Sequence, residues 1–260
     1  MLNVDIRDGV ARVTLDRPEV RNAFDDALIA SLRKAFLEIE RNSSVRVVVL
    51  AGNGTAFCAG ADLNWMKRMA KYGHDENLAD ARALAEMLAA LERLPQPTIA
   101  RVHGPAFAGG TGLVAACDMA IGTPQAKFCF SEAKLGLSPA TISPYVLRAI
   151  GERAARRYFL SAEVFDAEEA LRIGMLSVVV PAAELDATLE GLLQHLLAGG
   201  PQAHAKIKNL IRAVAGRPLD ETLMADTARR IAEIRVSPEG REGIASFLEK
   251  RKASWCSPKS

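Results

Sequence analysis

The chain has 260 residues, of which 49% are hydrophobic and 25% are charged, and its formal net charge is +2. This length and composition allow one large globular domain with a sizeable core and argue against intrinsic disorder. The near-neutral balance of charge gives no global indication of binding to nucleic acid or to an acidic membrane surface.

The four cysteines are not spaced as a CxxC pair or as zinc ligands, so we expect free thiols, no metal site and a reducing compartment. The N-terminal segment MLNVDIRDGV lacks the apolar core of a signal peptide. The apolar stretches are too short to cross a bilayer. These features predict a cytoplasmic protein without a membrane segment.

The first part of the chain alternates between strand and helix patterns. Residues 3–15 predict a hairpin around Asp8-Gly9, because apolar residues alternate on both sides of that turn. The next predicted elements, in order, are a helix over 24–41, a strand over 45–51, a helix over 63–70, a loose segment over 71–76 leading into a helix to about 93, and strands over 98–102, 119–122 and 127–130. This alternation predicts an α/β fold.

The last part of the chain has a different character. Helical patterns follow one another over 183–198, 201–214, 219–235 and 239–250, with prolines near three of the starts. We therefore predict two regions, a core over 1–182 that holds the functional site and a helical C-terminal region over 183–260.

Residues 106–118 read AFAGGTGLVAACD and place Gly109-Gly110 between the end of a strand and a helix. Glycine lets a ligand approach the backbone, and the first amides of a helix are unpaired and lie at its positive end. A tight packing turn also explains this glycine pair. The second turn, FCAGADL over 57–63, enters a helix too and offers a free N–H at Ala61. Two such turns together favour an anion or oxyanion site, and neither matches a dinucleotide or P-loop motif.

Five segments resemble, in the same order, the motifs of the crotonase family, the enoyl-CoA hydratase/isomerase superfamily. They are AFCAGADL, HGPAFAGGTGL, CDMAI, AKFCFSEAKLGLSP and GIASFLEKRKASW, and the resemblance runs from about residue 5 to residue 255. It implies a spiral of ββα units with a helical C-terminal region that builds trimers, often paired as hexamers. Within the family, FAGG-x-G and SPATISPYVLRAIGERAARRYFL are most similar to bacterial 3-methylglutaconyl-CoA hydratases of leucine breakdown. The isohexenylglutaconyl-CoA hydratases of acyclic terpene breakdown are close neighbours.

The resemblance also implies a CoA thioester substrate and no cofactor beyond the CoA that the substrate carries. It assigns the binding of the thioester oxygen to the N–H groups of Ala61 and Gly109. The implied CoA contacts are Val20, Arg21, Ala23, Ala59, Asp62, Leu63, Gly110, Phe247 and Lys250, of which the last two often act across a subunit boundary. The candidates for the acyl pocket are Trp65, Lys67, Leu137 and Thr141, and Trp65 fits the core equally well.

Typical hydratases of this family carry two glutamates, one on the helix after the glycine pair and one 20 residues later. The second is present as Glu132, in SEAKLGL, whereas the first position is Gly112. By itself, Glu132 also fits a helix start with Ser131 as its N-cap. The motif context favours a catalytic role for Glu132.

One carboxylate suffices for hydration if the site holds the water, since it can deprotonate water and later return a proton to Cα. The nearby hydroxyl candidates for holding water are Thr111, Ser138, Thr141 and Ser143. A carboxylate on the substrate is another candidate, and it would dock on Lys67, Arg68 or Lys134. Lys67 and Arg68 also fit an ordinary solvated helix face.

Three other functions stay open at this point. An enoyl-CoA isomerase needs only one base to move a double bond, so Gly112 suits it. RNA binding would rest on KIKNLIRAVAGR, residues 206–217, but this segment fits an amphipathic helix with one cationic face and argues for nucleic acid only weakly. An inactive scaffold is the third hypothesis. Cys58 and His103 fit packing and structural roles, and no set for nucleophilic catalysis is visible.

Overall fold

The structure, a computed structural model, describes residues 1–256. Within that range the chain forms nine strands and ten α-helices. The strands are β1 Leu2–Arg7, β2 Val10–Leu15, β3 Val47–Gly52, β4 Thr98–Val102, β5 Ala106–Phe107, β6 Met119–Gly122, β7 Lys127–Cys129, β8 Phe165–Asp166 and β9 Val178–Val179. The helices are α1 Asp26–Arg41, α2 Leu63–Met69, α3 His74–Arg93, α4 Gly109–Ala116, α5 Ser143–Ser161, α6 Ala167–Ile173, α7 Leu185–Ala198, α8 Pro201–Val214, α9 Glu221–Val236 and α10 Pro238–Leu248. None of these helices is long and apolar enough to cross a membrane.

A mixed six-stranded sheet in the order β1-β2-β3-β4-β6-β9 forms the centre of the fold. Strands β1 and β2 are the predicted hairpin, and they turn at Asp8 and Gly9, whose φ values are 51° and 80°. The remaining neighbours pair in parallel. A smaller sheet has the order β5-β7-β8. Parallel strands joined by helices confirm the predicted α/β class.

Helices cover both faces of the main sheet, and β3 shows this directly because its successive side chains enter different cores. Val48 and Leu50 belong to the larger core, which α1 and α3 cover. Val47 and Val49 belong to a smaller core, which Leu189 and its neighbours on α7 complete. This burial on both faces explains why β3 reads as a continuous apolar run.

The C-terminal helices lie close to their predicted positions. Helix α8 is fastened to the sheet by Lys208, whose Nζ donates to Asp118 Oδ2 at 2.7 Å and to the Gln96 carbonyl at 3.1 Å. Helix α10 leaves large apolar side chains in solvent, with Phe247 82% and Leu248 72% exposed. The division of the chain at residue 183 stays a prediction, and residues 257–260 of the second region lie outside the described residues.

The sequence patterns missed three two-residue strands, β5, β8 and β9, and two helices, and they misplaced one cap. Helix α5 was missed because Gly151, with φ 73° and ψ 164°, breaks its periodicity after two turns. Helix α6 has only seven residues, and its start signal at Asp166 was overlooked. The expected N-cap at Ser131 is wrong, because Ser131–Leu135 form a 3-10 turn whose N-cap residue is Phe130 and whose start has no side-chain hydrogen bond.

The ion pair between Lys208 and Asp118 predicts a measurable contribution to the free energy of unfolding. Replacing Lys208 with Met should lower the free energy of unfolding by about 1 to 2 kcal/mol, because the Asp118 carboxylate then loses its cation in a partly buried place. Lys206→Met is the matched control, since Lys206 is exposed on the same helix, and it should change stability by less than about 0.5 kcal/mol. Urea unfolding curves measure both, and equal effects would contradict the stabilising role of the buried pair.

Candidate active site

Two glycine-bearing segments run side by side at the edge of the main core. The N–H groups of Phe57 and Cys58 donate to the Pro105 carbonyl at 3.0 and 3.2 Å, and the Phe107 N–H donates to the Cys58 carbonyl at 2.9 Å. This pairing places the turn that follows Cys58 next to the turn that opens α4. The two turns singled out in the sequence therefore meet in the structure.

The glycines of these turns are required by the closeness of the two segments. A Cβ on Gly110 would lie 2.5 Å from the carbonyl oxygen of Cys58, and one on Gly109 would lie 2.7 Å from the ring of Phe24. Gly60 has a φ of 94°, and a Cβ there would lie 3.3 Å from the Cβ of Ala108. The backbone amides of these glycines consequently have no side chain of their own over them, and Gly109 is half-buried.

Both predicted oxyanion donors are available. Phe24 pairs across the first turn, donating to the Gly60 carbonyl and accepting from the Asp62 N–H, each at 2.7 Å. The residues on both sides of Ala61 thus bond to Phe24, and the N–H of Ala61 points away from Phe24. This N–H has no acceptor among the described residues. Gly109 is the first residue of α4, so its N–H has no partner within the helix.

Backbone strain accompanies the second turn. Ala108, the residue before Gly109, has a φ of 46° and a ψ of −116°. A non-glycine residue in such a conformation costs on the order of 1–3 kcal/mol and persists where surrounding contacts hold it. Here the Ala108 N–H is held by the Cys129 carbonyl at 2.8 Å. The strain occurs at the residue that aims the first amides of α4.

The segment predicted to contact CoA lies directly beside the first turn. The Ala59 N–H donates to the Arg21 carbonyl at 2.9 Å, which joins the stretch that contains Val20, Arg21 and Ala23 to the stretch that contains Ala59. Leu63 is 73% exposed at the start of α2. These predicted residues are thus brought together, and their role toward CoA stays a prediction.

Asp62 has a structural task that the sequence did not reveal. Its Oδ1 accepts from the N–H groups of Asn64 and Trp65 at 2.8 and 3.2 Å, which caps α2. Its Oδ2 lies 3.4 Å from Arg17, and the same guanidinium lies 2.8 Å from Asp25, the N-cap of α1. One cation therefore joins the N-terminal caps of two helices next to the site.

Asn22 and Arg17 are organising residues that the sequence analysis missed. Asn22 is fully buried, and its amide donates to the carbonyls of Asn53 and Ala56 at 2.8 and 2.9 Å while accepting from the Arg17 N–H at 2.8 Å. Its φ of 57° is unusual for a side-chain-bearing residue, although asparagine tolerates it best. The stretch RPEVRNAF contained this signal, an asparagine flanked by predicted contact residues.

Glu132 stands on the short 3-10 turn after β7. Its Oε2 is buried and has no hydrogen-bond partner among the described residues. Burial raises the pKa of this carboxyl, and a hydrogen bond from its own backbone N–H opposes that shift only in part. The side chain therefore carries a carboxylate with a free oxygen in a poorly solvated place.

Position 112 holds no carboxylate, and its surroundings leave no room for one. Gly112 is fully enclosed in α4, and a Cβ built on it would overlap Cγ2 of Ile142 and lie 2.9 Å from Cβ of Ile142. Ile142 is 2% exposed. No local pattern predicts this contact, because it joins residues thirty positions apart.

The hydroxyl candidates divide into two groups. The Thr111 hydroxyl donates to the Ala106 carbonyl at 2.7 Å, and that of Ser143 donates to the Ala140 carbonyl at 2.8 Å. Ser138 and Thr141 have no side-chain hydrogen bond within the described part of the chain and lie on the loop between Glu132 and α5. They are the hydroxyls free to bind a water.

The acyl-pocket candidates also divide. Trp65 is 5% exposed in the larger core, and its indole N–H donates to Asp80 at 3.1 Å, so it ties α2 to α3. Lys67 and Leu137 are exposed, and Leu137 is 62% so. Arg68 pairs with Asp26 at 2.6 Å, which supports a surface role for it.

Other candidates lie apart or are inert. Phe247 lies on α10 and Lys250 just after it, both are exposed, and no hydrogen bond among the described residues joins them to the two turns. Burial raises the pKa of Cys58 to about 12, so its thiol is no nucleophile. His103 contacts the Gly54 carbonyl at 2.9 Å, as expected of a structural residue.

Among the α8 cations, Lys208 pairs with Asp118 and Arg212 with Glu92.

Comparison with known proteins shows the family to which the chain belongs. The model of the family described as enoyl-CoA hydratase/isomerase matches residues 5–258, and the chain belongs to this family. The enzyme class and the α/β crotonase-type fold predicted from the motifs are thereby confirmed at the level of the family.

Individual relatives cover nearly all of the chain. A crystal structure of an enoyl-CoA hydratase from Shewanella pealeana is 44% identical with a TM-score of 0.95, and the match covers 98% of this chain and 95% of that one. Pseudomonas aeruginosa AtuE is 37% identical with a TM-score of 0.94 and coverage of 98% and 99%. The enoyl-CoA hydratase AKT6-1 of Alternaria alternata is 34% identical over 94% of this chain and 80% of its own length.

The close approach of Gly110 to the Cys58 carbonyl predicts that one added methyl group at position 110 strongly lowers the free energy of unfolding. Gly110→Ala should lower the free energy of unfolding by about 3 kcal/mol, because the backbone carbonyl of Cys58 cannot move aside as a side chain can. Gly191→Ala is the matched control in α7, where a Cβ meets nothing within 4 Å. It should stabilise by up to about 1 kcal/mol through helix propensity. Thermal and urea unfolding measure both, and a neutral Gly110→Ala would contradict the close approach.

The raised pKa of Glu132 predicts a stability that depends on pH. A folded-state pKa above the unfolded one means that folding disfavours the charged form, so wild type loses stability as pH rises through the folded pKa. Glu132→Gln removes this charge and should raise Tm at neutral pH, with the difference vanishing below the usual glutamate range. Glu168→Gln changes an exposed carboxylate on α6 and should show no such gain. A Glu132→Gln protein with lower Tm at neutral pH would contradict the burial argument.

Proposed function

We propose that the protein is a hydratase that adds water to the conjugated double bond of a branched, carboxylated enoyl-CoA of the 3-methylglutaconyl type. The observation that carries this proposal is the carboxylate of Glu132, which has a buried oxygen without a partner. A buried carboxylate with an unsatisfied oxygen destabilises a protein unless a ligand uses it. The Ala108 N–H donates to the Cys129 carbonyl at 2.8 Å, which joins the strand before Glu132 to the residue before Gly109, and this favours a reacting thioester as that ligand.

The proposed reaction places charge where the free amides are. The thioester oxygen accepts hydrogen bonds from the N–H groups of Ala61 and Gly109. When water adds at Cβ, an electron pair moves through Cα to this oxygen, and the two amides stabilise the enolate that forms. Glu132 takes one proton from the attacking water and returns it to Cα, which collapses the enolate to the hydroxyacyl thioester.

Burial of Glu132 suits both halves of this proton transfer. A carboxylate with a raised pKa is a stronger base toward water than an exposed glutamate, and its protonated form is easier to reach at neutral pH. The water needs a second partner, since Gly112 provides none. Ser138 and Thr141 are our candidates, with a substrate carboxylate docked on Lys67 or Lys134 as the alternative.

The CoA part of the substrate would lie along the stretch that joins Val20, Arg21 and Ala23 to Ala59, with Asp62, Leu63 and Gly110 nearby. This is supported by the hydrogen bond between the Ala59 N–H and the Arg21 carbonyl. We assign Phe247 and Lys250 to the CoA site of a neighbouring subunit in a homotrimer or a dimer of trimers. The exposure of Phe247 supports this assignment. No further cofactor is needed.

An enoyl-CoA isomerase is the second candidate, and Gly112 is the observation that favours it. Moving a double bond requires removal of a proton from one carbon and its return to another, so one carboxylate and the oxyanion donors suffice. No water has to be held. The two functions therefore differ in product mass.

The deciding experiment incubates the protein separately with 3-methylglutaconyl-CoA, crotonyl-CoA and a 3-enoyl-CoA and follows the products by mass spectrometry. We expect the glutaconyl ester to gain the mass of one water. Glu132→Gln should lower kcat by about a hundredfold or more, because it removes the general base. Glu168→Gln is the control for the same chemical change on an exposed residue and should retain full activity.

Each other outcome has a definite meaning. A 3-enoyl ester whose double bond shifts without a mass gain, while the glutaconyl ester stays unchanged, would make the protein an isomerase. Hydration of crotonyl-CoA in preference to the glutaconyl ester would overturn the substrate class and keep the reaction. Full hydration by Glu132→Gln would remove Glu132 from the mechanism.

A further inference from the structure

Gly112 and Ile142 form a complementary pair in which one residue fills the space that the other lacks. A Cβ on Gly112 would overlap Cγ2 of Ile142 and lie 2.9 Å from its Cβ. The second contact matters most, because Cβ is fixed by the backbone and no change of rotamer relieves it. Even alanine at position 112 therefore requires the backbone of α4 or of the α5 start to move.

The backbone at Ile142 is held in place. Its carbonyl accepts the N–H groups of Tyr145 and Val146, each at 3.1 Å, as the first turn of α5. Its side chain belongs to the larger core and is 2% exposed. The loop that leads to it starts at the turn of Glu132, where the Leu137 N–H donates to the Glu132 carbonyl at 3.0 Å. One short segment therefore carries both the proposed base and this apolar side chain.

We propose that Ile142 is a specificity-determining residue, which closes the acyl pocket beside Gly112 and restricts the site to short branched acyl chains. This inference rests on the proposed function, which holds the thioester oxygen at the N–H of Gly109 and the reacting carbons at Glu132. Gly112 lies about one turn after Gly109 on α4, and Ile142 lies at the end of the segment that begins at Glu132. The side chain of Ile142 fills the space beside Gly112 between these two elements. An acyl chain cannot pass between α4 and the start of α5. The wall it meets there is apolar and suits a methyl branch.

The first test compares acyl chains of different length. We expect Ile142→Ala to shift the ratio of kcat/KM by about tenfold or more toward isohexenylglutaconyl-CoA relative to 3-methylglutaconyl-CoA, mainly through KM, since a few methylene groups of pocket depth discriminate on this scale. Ile142→Val should shift the ratio in the same direction by less. Both variants remove atoms from the pocket wall without touching Glu132 or the free amides.

Ile150→Ala is the matched control, because Ile150 is a buried isoleucine on α5, about two turns along the chain from Ile142 at the start of that helix. It should lower Tm by a similar amount and leave the ratio of the two substrates within about twofold. A ratio that stays fixed in Ile142→Ala, or that shifts equally in Ile150→Ala, would overturn the proposal.

The second test concerns the pair itself and needs no turnover. Gly112→Ala should lower Tm in the wild-type background, whereas in the Ile142→Gly background the same substitution should leave Tm unchanged or raise it, because alanine favours helix over glycine. Equal losses of Tm in the two backgrounds would show that Ile142 does not fill the space at position 112.

Failure of the proposed function can be told apart from failure of this inference. If wild type hydrates none of the esters, the hydratase proposal falls, and the pocket is then probed by the Kd values of saturated branched acyl-CoA esters of both lengths. Tighter binding of the longer ester by Ile142→Ala but not by Ile150→Ala supports the inference. Unchanged relative Kd values in Ile142→Ala reject it.

Discussion

The close approach of two backbone segments, at Cys58 and Gly110, is the constraint on which the rest of the site depends. The distance of 2.5 Å from a Cβ at position 110 to the Cys58 carbonyl leaves glycine as the residue that fits. The same approach lets β5 pair beside Cys58 and starts α4 at Gly109, where an amide is unpaired. Donors of this kind carry no flexible side chain, so they cost little reorganisation when charge develops in front of them.

A second constraint fixes the turn at Gly60 and Ala61 beside these two segments. Arg17 contacts the cap carboxylates of α1 and α2, and Asn22 bonds to the backbone on both sides of the neighbouring loop. These contacts fix the stretch before α1, which pairs with Gly60 and Asp62 through Phe24. The direction of the Ala61 N–H thus follows from polar contacts that involve no substrate. Such support is what keeps a site within the narrow geometry that catalysis demands.

The sequence predicted the local parts of this arrangement and missed the contacts between distant parts. Glycine turns before helices, the hairpin at Asp8-Gly9 and the apolar run of β3 have local signatures, and each lies where it was expected. Glu132 was identified through its motif. The predicted N-cap at Ser131 was wrong, because a 3-10 turn has no distinctive sequence pattern. The packing of Ile142 on Gly112 could not be predicted, since it depends on where the loop after Glu132 returns to α4. Arg17 and Asn22 were missed because they contact residues on other segments of the chain, although the asparagine within RPEVRNAF was a local signal.

A single carboxylate has a consequence for the course of the reaction. In the proposed reaction Glu132 acts alone on one face of the substrate, because a glycine stands at position 112 and the buried Ile142 leaves no room for an acid there. If the same carboxylate takes a proton from water and delivers it to Cα, oxygen and hydrogen must add to the same face of the double bond. An isomerisation through Glu132 would also stay on one face, so stereochemistry does not separate the two reactions. What separates them is a group that holds water at Cβ, and the hydroxyls without a partner of their own, Ser138 and Thr141, lie on the loop that joins Glu132 to Ile142.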